Sequence, residues 1–383
     1  MPSLALIVWT GVVATALSTL APGVVGGLVD DYALTAAQAG QIVAASLVGM
    51  VIGPACVVAI GLSGRIRPVL AGACVAMALG HAASASTTSF GALLAMQALA
   101  GVGGGLGLAG VTVLAAATSR PTATFGWIIA GQMLFGALGF VGLPWLRSLH
   151  DPGIALAFAV LAALAAVSLY WLRRLPQSVG GAADAVPGLR WSWPAGLVCF
   201  SLLAHYVANT AVWAYLERIG VDAGFSNGAV GVALGLSMIA GIAGGALAGI
   251  AGRHATTIGW ISIGILVIAG ATALLFDLDR YSTYLSGSAL SLAAIGFTVP
   301  FYYSWLADFD ATGRWVLLGN LAVGLGLSAG PAIGSQLIGD GRFDHLLTVA
   351  LALFAAALAI AIAASVMTAA QGVPRPVEQS RPA

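Results

Sequence analysis

Four side chains that can form hydrogen bonds or stack on a ligand recur at four-residue spacing in one apolar run, residues 193–216. They are Ser201, His205, Asn209 and Trp213. Residues four apart share a side of an α-helix, so the sequence predicts one stripe along it. An imidazole has an ordinary pKa of about 6.5, which suits His205 to bind a solute or carry a proton. The adjacent Tyr206 belongs to the same candidate site. The alternative is a neutral histidine bonded between helices.

A second pair of candidates comes from an internal repeat. Trp127, Gly131, Gln132 and Gly136 recur 188 residues later as Trp315, Gly319, Asn320 and Gly324, and residues 61–65 match 249–253 at the same offset. Amides at equivalent positions of two halves would point toward a shared axis, so Gln132 and Asn320 are predicted to hold opposite ends of one small molecule. Alternatively, each amide ties its helix to a neighbour. The two tryptophans are predicted to anchor helix ends.

Aromatic and amide groups in two further runs complete the predicted substrate-binding set. Tyr302 and Tyr303 follow Pro300, where a helix kink is predicted, and could stack on a ring or sugar face or close a gate. Plain interfacial anchoring is the alternative for these aromatic residues. Gln97 lies inside another apolar run and is the last predicted binding residue.

The elements that must position these residues are long apolar helices. The chain has 60% hydrophobic and 7% charged residues, against about 25% charged residues in soluble domains. A membrane-spanning helix needs about 20 apolar residues, and we count twelve such runs. Their predicted spans are 4–28, 40–62, 69–86, 90–115, 122–145, 153–172, 193–216, 228–251, 256–276, 282–306, 315–338 and 346–370.

The charges sort by side when twelve spans are assumed. With a cytoplasmic N-terminus, ten arginines and four acids fall inside, whereas four arginines and nine acids fall outside. This asymmetry is the one that orients membrane proteins. It predicts a multi-pass protein of the cytoplasmic membrane with both termini in the cytoplasm.

A polar interruption divides the twelve spans into two equal groups. Residues 173–192 contain paired arginines, glycines and prolines, and they predict a cytoplasmic linker. The expected domains are an N-terminal six-helix bundle (1–172), the linker, a C-terminal six-helix bundle (193–370) and a disordered tail (371–383). The fold class is therefore all-α, with twelve transmembrane helices in two pseudo-symmetric bundles.

The sequence does not contain the residues that several classes of function require. The sequence has no lysine, so an ATP-binding phosphate loop cannot be completed. Its arginines are scattered, which argues against nucleic-acid binding. Three isolated cysteines and five scattered histidines supply neither a metal site nor a catalytic cluster. We expect no cofactor, no metal and no enzymatic activity.

This arrangement resembles the major facilitator superfamily of secondary transporters. The resemblance rests on twelve spans, a long central loop and a Gly-Arg turn after spans two and eight, which here contains Arg65 and Arg253. The acidic residue usual in that turn is replaced by Gly61, so Arg65 is left to pair with Asp308 or Asp310. Drug exporters of the family carry an arginine where this chain has Gln97, which argues against a drug/proton antiporter.

The resemblance implies alternating access to a central site. The acids fall at span ends and are predicted to be mainly solvated, with Glu217 and Asp30 as candidates for an outer gate and Asp308 for the inner one. With no charged residue predicted at mid-membrane, the expected partners are a small neutral or weakly charged organic solute, the lipid bilayer and, through His205, protons. The expected state is a monomer. The rival functions are a proton-coupled drug or metabolite efflux antiporter and, from another class, a membrane enzyme or a non-transporting receptor.

Overall fold

The apolar runs fold as α-helices, because a helix satisfies its backbone hydrogen bonds internally where water is absent. A computed structural model describes residues 4–59, 65–116, 118, 121–174, 192–251, 257–309, 314–338 and 343–370. The helices are α1 Leu4–Thr19, α2 Ala21–Tyr32, α3 Ala36–Ala59, α4 Ile66–Ala85, α5 Phe90–Ala116, α6 Pro121–Ser148, α7 Gly153–Trp171, α8 Trp193–Asp222, α9 Asn227–Ala251, α10 Thr257–Ala273, α11 Tyr281–Phe309, α12 Arg314–Leu337 and α13 Asp344–Ala370. Short 3₁₀ turns follow α7 and α10.

Every predicted span is occupied by a helix, which confirms the all-α fold class. Ten of the described helices are long and apolar enough to cross a membrane, and the pair α1–α2, bent by 49°, would be an eleventh candidate. The bend coincides with Pro22 in the first turn of α2. The remaining predicted span, 315–338, is occupied by α12, which is 24 residues long. The chain is therefore a multi-pass membrane protein.

One boundary prediction was wrong in a way that matters for the site. The span predicted to end at residue 216 continues as α8 to Asp222, and Glu217 and Arg218 are only 6% and 5% exposed. The expectation that Glu217 is a solvated charge is therefore wrong. A helix can hold acids and arginines out of water when they pair with each other.

The helices contact each other mainly within two sets, α1–α7 and α8–α13. The main contacts between the described helices of the two sets are α2 with α8, α3 with α12, α6 with α9 and, over fewer residues, α3 with α8. Shifting α3 by the repeat offset of 188 places it on α9, and shifting α6 places it on α12. The contacts α3–α12 and α6–α9 are therefore equivalent under the repeat. We call the end where α2, α6 and α8 finish and α3, α7 and α9 begin the Asp30 end.

Glycines allow close helix packing inside the first set. A Cβ added at Gly101 would collide with the backbone of Ser46, and one added at Gly105 would collide with the backbone of Met50. Both contacts join α5 to α3. This is the use of small residues expected where lipid provides little drive for helix association.

The substitution Gly101→Ala is expected to destabilise the protein by about 1–3 kcal/mol, the usual cost of overpacking. The obstacle is main chain, which cannot move aside as a side chain can. The control is Gly91→Ala on the same helix, where an added Cβ meets nothing within 4 Å. Thermal unfolding in detergent should show a lower midpoint for Gly101→Ala only, and equal midpoints would contradict the packing assignment.

Candidate functional site

The first two members of the α8 stripe point into the second helix set. Ser201 donates to the backbone oxygen of Ala357 on α13 at 2.7 Å, and its oxygen lies 2.6 Å from the hydroxyl of Tyr302 on α11. Because the single hydroxyl hydrogen of Ser201 is used on Ala357, the Tyr302 hydroxyl is the donor in their bond. Tyr302 is fully buried. It therefore joins α8 to α11 instead of lining an open surface.

His205 is enclosed by aromatic rings. It is 0% exposed, and its ring centroid lies 6.0 Å from that of Tyr302, 5.6 Å from Phe354 and 6.2 Å from Tyr206. Neither ring nitrogen has a hydrogen-bond partner among the described residues. A charged imidazolium here would have neither a counter-ion nor an acceptor, which is costly in an apolar enclosure.

The predicted stripe does not keep one direction. A helix turns about 100° per residue, so a four-residue step drifts by about 40° and three steps by about 120°. Accordingly, Trp213 packs edge-on against Phe140 of α6, in the other helix set, with centroids 5.7 Å apart. Asn209 lies between these directions, half-buried, and forms no hydrogen bond to another described residue. Asn209 and Trp213 therefore point in other directions than Ser201 and His205, and the four residues do not form one site.

The two repeated amides are each bonded inside their own set. Gln132 of α6 donates to the backbone oxygen of Gly11 on α1 at 3.3 Å. Asn320 of α12 is exposed, and its Oδ1 accepts a hydrogen bond from the Tyr303 hydroxyl of α11 at 2.7 Å. Each amide keeps further hydrogen-bonding capacity, because only one of its groups is used in these contacts.

Gln97 belongs to a buried polar cluster that sequence reasoning missed. Its Nε2 donates to Ser84 at 2.9 Å and lies 3.4 Å from Nδ1 of His81, whereas its Oε1 has no described partner. His81 is 5% exposed and stacks on Phe158. His205 is therefore not the only histidine buried in a span. The signal was available, since His81 lies inside the predicted span 69–86.

A network of charged side chains joins the two helix sets at the Asp30 end. Arg147 of α6 bonds Asp31 at 2.6 Å and Asp30 at 3.2 Å, both on α2. Arg218 of α8 bonds Asp30 at 2.7 Å and its own neighbour Glu217 at 3.1 Å. The Asp30–Arg218 pair crosses between the sets. Asp30 is thus exposed, as predicted, but also ion-paired, whereas the prediction that Glu217 is mainly solvated is wrong.

Sequence reasoning missed Arg147 and Arg218, although the repeat contains a signal for the second. Asp30 and Arg218 are 188 residues apart, which is the repeat offset. In a two-fold arrangement, equivalent positions that lie on the axis face each other. An acid and a base at equivalent positions near the ends of two equivalent spans are what such a contact requires.

The helix backbones also approach closely at this end. A Cβ added at Gly26 of α2 would collide with the Glu217 carboxylate, and one added at Gly231 of α9 would collide with the Phe140 carbonyl oxygen of α6. A Cβ at Gly235 would lie 3.0 Å from the Ala137 carbonyl oxygen. These contacts all lie in the half of each helix nearest the Asp30 end. The two sets are thus closed against each other there.

The predicted gate at the opposite end is not seen in the described residues. Arg65 and Asp308 are both exposed and do not pair with each other. Arg253 and Asp310 lie outside the described residues, as do residues 61–64. Trp127 is 60% exposed, as an interfacial anchor would be, but Trp315 is only 2% exposed, so its predicted anchoring role is wrong.

Among the comparisons with known proteins, the comparison with solved structures gives matches. No protein-family model and no curated protein matches the sequence. Many solved structures are similar in fold, and three of them illustrate the match. The nucleoside transporter NupG, solved as a mutant, matches at a TM-score of 0.72 and 13% identity, over 95% of this chain and 98% of that one. A D-xylose–proton symporter matches at 0.73 and 16%, over 93% and 96%.

The xylose transporter XylE from E. coli, solved in its inward open conformation, matches at a TM-score of 0.69 and 15% identity, over 93% of this chain and 94% of that one. These are structures of major facilitator transporters. The chain has the major facilitator fold. Since the matches cover almost the full length of both chains, the fold extends over both helix sets. In a major facilitator fold, residues at the junction of the sets are the first to consider for function.

Proposed function

We propose that the chain is a secondary transporter that moves a small neutral or weakly charged organic solute by alternating access. The observation that carries the proposal is that the two helix sets of a major facilitator fold are joined by the repeat-related contacts α3–α12 and α6–α9 and, at the Asp30 end, by the Asp30–Arg218 pair. Such contacts can separate as a unit when one set rocks against the other.

We further propose the domain division expected from the sequence. Residues 1–172 form one six-helix bundle and 193–370 the other, with 173–192 as the linker and 371–383 as a tail. The linker from 175 and the tail lie outside the described residues. The excess of arginine on the other side supports an outer position for the Asp30 end, in a cytoplasmic membrane with both termini inside. We also propose that the protein is a monomer and that it binds neither nucleic acid nor a cofactor.

For the solute site, the half-buried and exposed polar groups are better candidates than the buried ones. Asn209, Tyr206, Gln132, Asn320 and Tyr303 retain hydrogen-bonding capacity for an uncharged polar molecule. Trp213 could add an aromatic surface for it. The similar solved transporters are named for nucleosides and xylose, which supports a neutral, hydroxyl-rich solute. His205, Tyr302 and Gln97 face bundle interiors and would act by positioning helices.

The rival functions are separated by one experiment. The purified protein is screened by thermal shift against sugars, nucleosides, amino acids, aromatic acids and drugs, and ligands that stabilise it are tested for flux in proteoliposomes with and without a pH gradient. Saturable flux of a neutral solute supports the proposal, and flux of cationic drugs against a proton gradient supports the efflux antiporter. If no solute moves, the transporter proposal fails and the enzyme and receptor alternatives return.

His205 was the sequence-based candidate for proton coupling, and its enclosure leads to a different expectation. We expect His205→Gln to keep any pH-gradient-driven uptake within about twofold of wild type, because the buried ring has no counter-ion and no acceptor. Uptake of the screened solute into proteoliposomes at an imposed pH gradient measures this. Loss of the gradient response, with uptake down the solute gradient intact, would restore His205 as the coupling residue.

A further inference from the structure

The charged network at the Asp30 end contains more negative than positive groups. Its members are three carboxylates, Asp30, Asp31 and Glu217, with side chains 29%, 16% and 8% exposed, and two guanidinium groups, Arg147 and Arg218, with side chains 12% and 6% exposed. Fully ionised, this network would hold one uncompensated negative charge between helices. An uncompensated charge out of water costs several kcal/mol, so a closed network of this composition favours binding one proton or one cation.

The three carboxylates do not share hydrogen bonds equally. Asp31 accepts from Arg147 through two nitrogens and from the Ile154 backbone N–H at 2.6 Å. Asp30 accepts from both arginines and has the most exposed side chain, at 29%. Within the part of the chain that the structure describes, Glu217 accepts only from Nε of Arg218, at 3.1 Å, and its side chain is 8% exposed. Glu217 is therefore the carboxylate least stabilised as an anion.

The bond between Glu217 and Arg218 is also a weak form of ion pair. Only one nitrogen of the guanidinium reaches the carboxylate, and Nη2 of Arg218 is buried with no described partner. A paired, two-bond arrangement is the strong geometry for arginine and a carboxylate, and it is absent between these adjacent residues. Arg218 therefore does not fully compensate Glu217 while it also bonds Asp30.

The second cation near Glu217 is already bonded to other carboxylates. From α2 Glu217 faces Asp30, and from α8 it faces Arg218 and the more exposed Asp222. From α6 it faces Arg147, whose guanidinium bonds Asp30 and Asp31. From α11 comes Tyr284, whose hydroxyl donates to the Leu216 backbone oxygen. From α9, Asn227 lines a small cavity together with Glu217 and Arg147. No cluster of three or more acids, histidines or cysteines in the described residues has the arrangement of a metal site, which favours a proton over a metal cation.

We propose that Glu217 is a proton-binding site, occupied while the Asp30 end is closed and emptied to water when the two helix sets part there. The inference rests on the proposed alternation between two states. The carboxylic acid loses H⁺ to water on opening, and the carboxylate takes one up on closing. Gly26 of α2 packs directly against this carboxylate in the closed arrangement, so parting of α2 from α8 would expose it to water. One proton linked to opening changes the open-to-closed ratio by up to tenfold per pH unit.

The test measures opening directly and needs no solute. Spin labels are placed at Leu149→Cys and Gly228→Cys, exposed positions in different helix sets at the Asp30 end, in full-length protein without its native cysteines in nanodiscs. Distances are recorded by electron spin resonance from pH 5 to pH 9. We expect the long-distance population to grow with pH in wild type, to stay minor at every pH in Glu217→Gln, and to keep its pH response in Glu217→Asp.

The control is Asp279→Asn, an exposed acid at the same end, which should behave as wild type. Size exclusion and thermal unfolding confirm that each variant is folded. A pH-independent wild type, or a Glu217→Gln variant with the wild-type response, overturns the proposal, as does loss of the response in His205→Gln alone. If no solute is transported but the pH response depends on Glu217, transport fails and the proton site stands. If solute moves and Glu217→Gln keeps the wild-type pH response, the transport proposal stands and the proton site fails.

Discussion

An Arg218→Ala variant is expected to open the Asp30 end in most molecules at neutral pH. Among the described residues, the substitution removes the one ion pair that crosses between the helix sets and the one side-chain hydrogen bond of Glu217. Removing one partner of a buried pair costs about 3–5 kcal/mol, less where a carboxylate is partly in water, as Asp30 is. Because about 1.4 kcal/mol is a factor of ten, the open-to-closed ratio should rise on the order of 100-fold.

The spin-label pair at positions 149 and 228 measures this shift. Arg280→Ala is the matched control, since Arg280 is exposed at the start of α11 and forms no ion pair with another described residue. Asp30→Ala and the double variant Asp30→Ala/Arg218→Ala complete a double-mutant cycle, which isolates the coupling between the two residues. If the two single effects simply add, the Asp30–Arg218 pair does not hold the end closed.

The positions of the helices followed from the sequence more readily than the contacts of the candidate site. Length and apolarity define a spanning helix, so each of the twelve predicted runs coincides with a helix. The end of α8 was missed because a hydropathy pattern stops at the first charges, whereas Glu217 and Arg218 stay in the helix by pairing. Such pairing depends on Asp30 and Arg147, which only the packed structure brings together.

The direction of each polar side chain was the other feature that spacing left undetermined. The four-residue stripe predicted one face for His205 and Trp213, but drift along α8 places the first against α13 and the second against α6. Similarly, the repeat identified Gln132 and Asn320 without showing that each is bonded within its own set. Equivalence under a repeat predicts which helix carries each amide and how far along the helix it lies. The neighbouring helices then determine which hydrogen bond it forms.

A Gly231→Val variant is expected to hold the Asp30 end apart while leaving the protein folded. The new side chain would run into the Phe140 carbonyl oxygen of α6, and main chain cannot rotate away as a side chain can. Overpacking of this kind costs about 1–3 kcal/mol. Because the cost falls on the closed state alone, the open-to-closed ratio should rise about 5- to 150-fold. Flux of any transported solute should fall accordingly, since a cycle needs both states.

The control for this variant is Gly142→Val on α6, where an added Cβ meets nothing within 4 Å. It should leave both the label distances and the flux near wild type. Combining Gly231→Val with Glu217→Gln separates the steric and the charge contributions to opening. The valine side chain clashes with the main chain of α6 whether or not residue 217 can be ionised. The double variant should therefore open at every pH. If it closes like Glu217→Gln alone, α9 can part from α6 without opening the Asp30 end, and these two contacts do not belong to one gate.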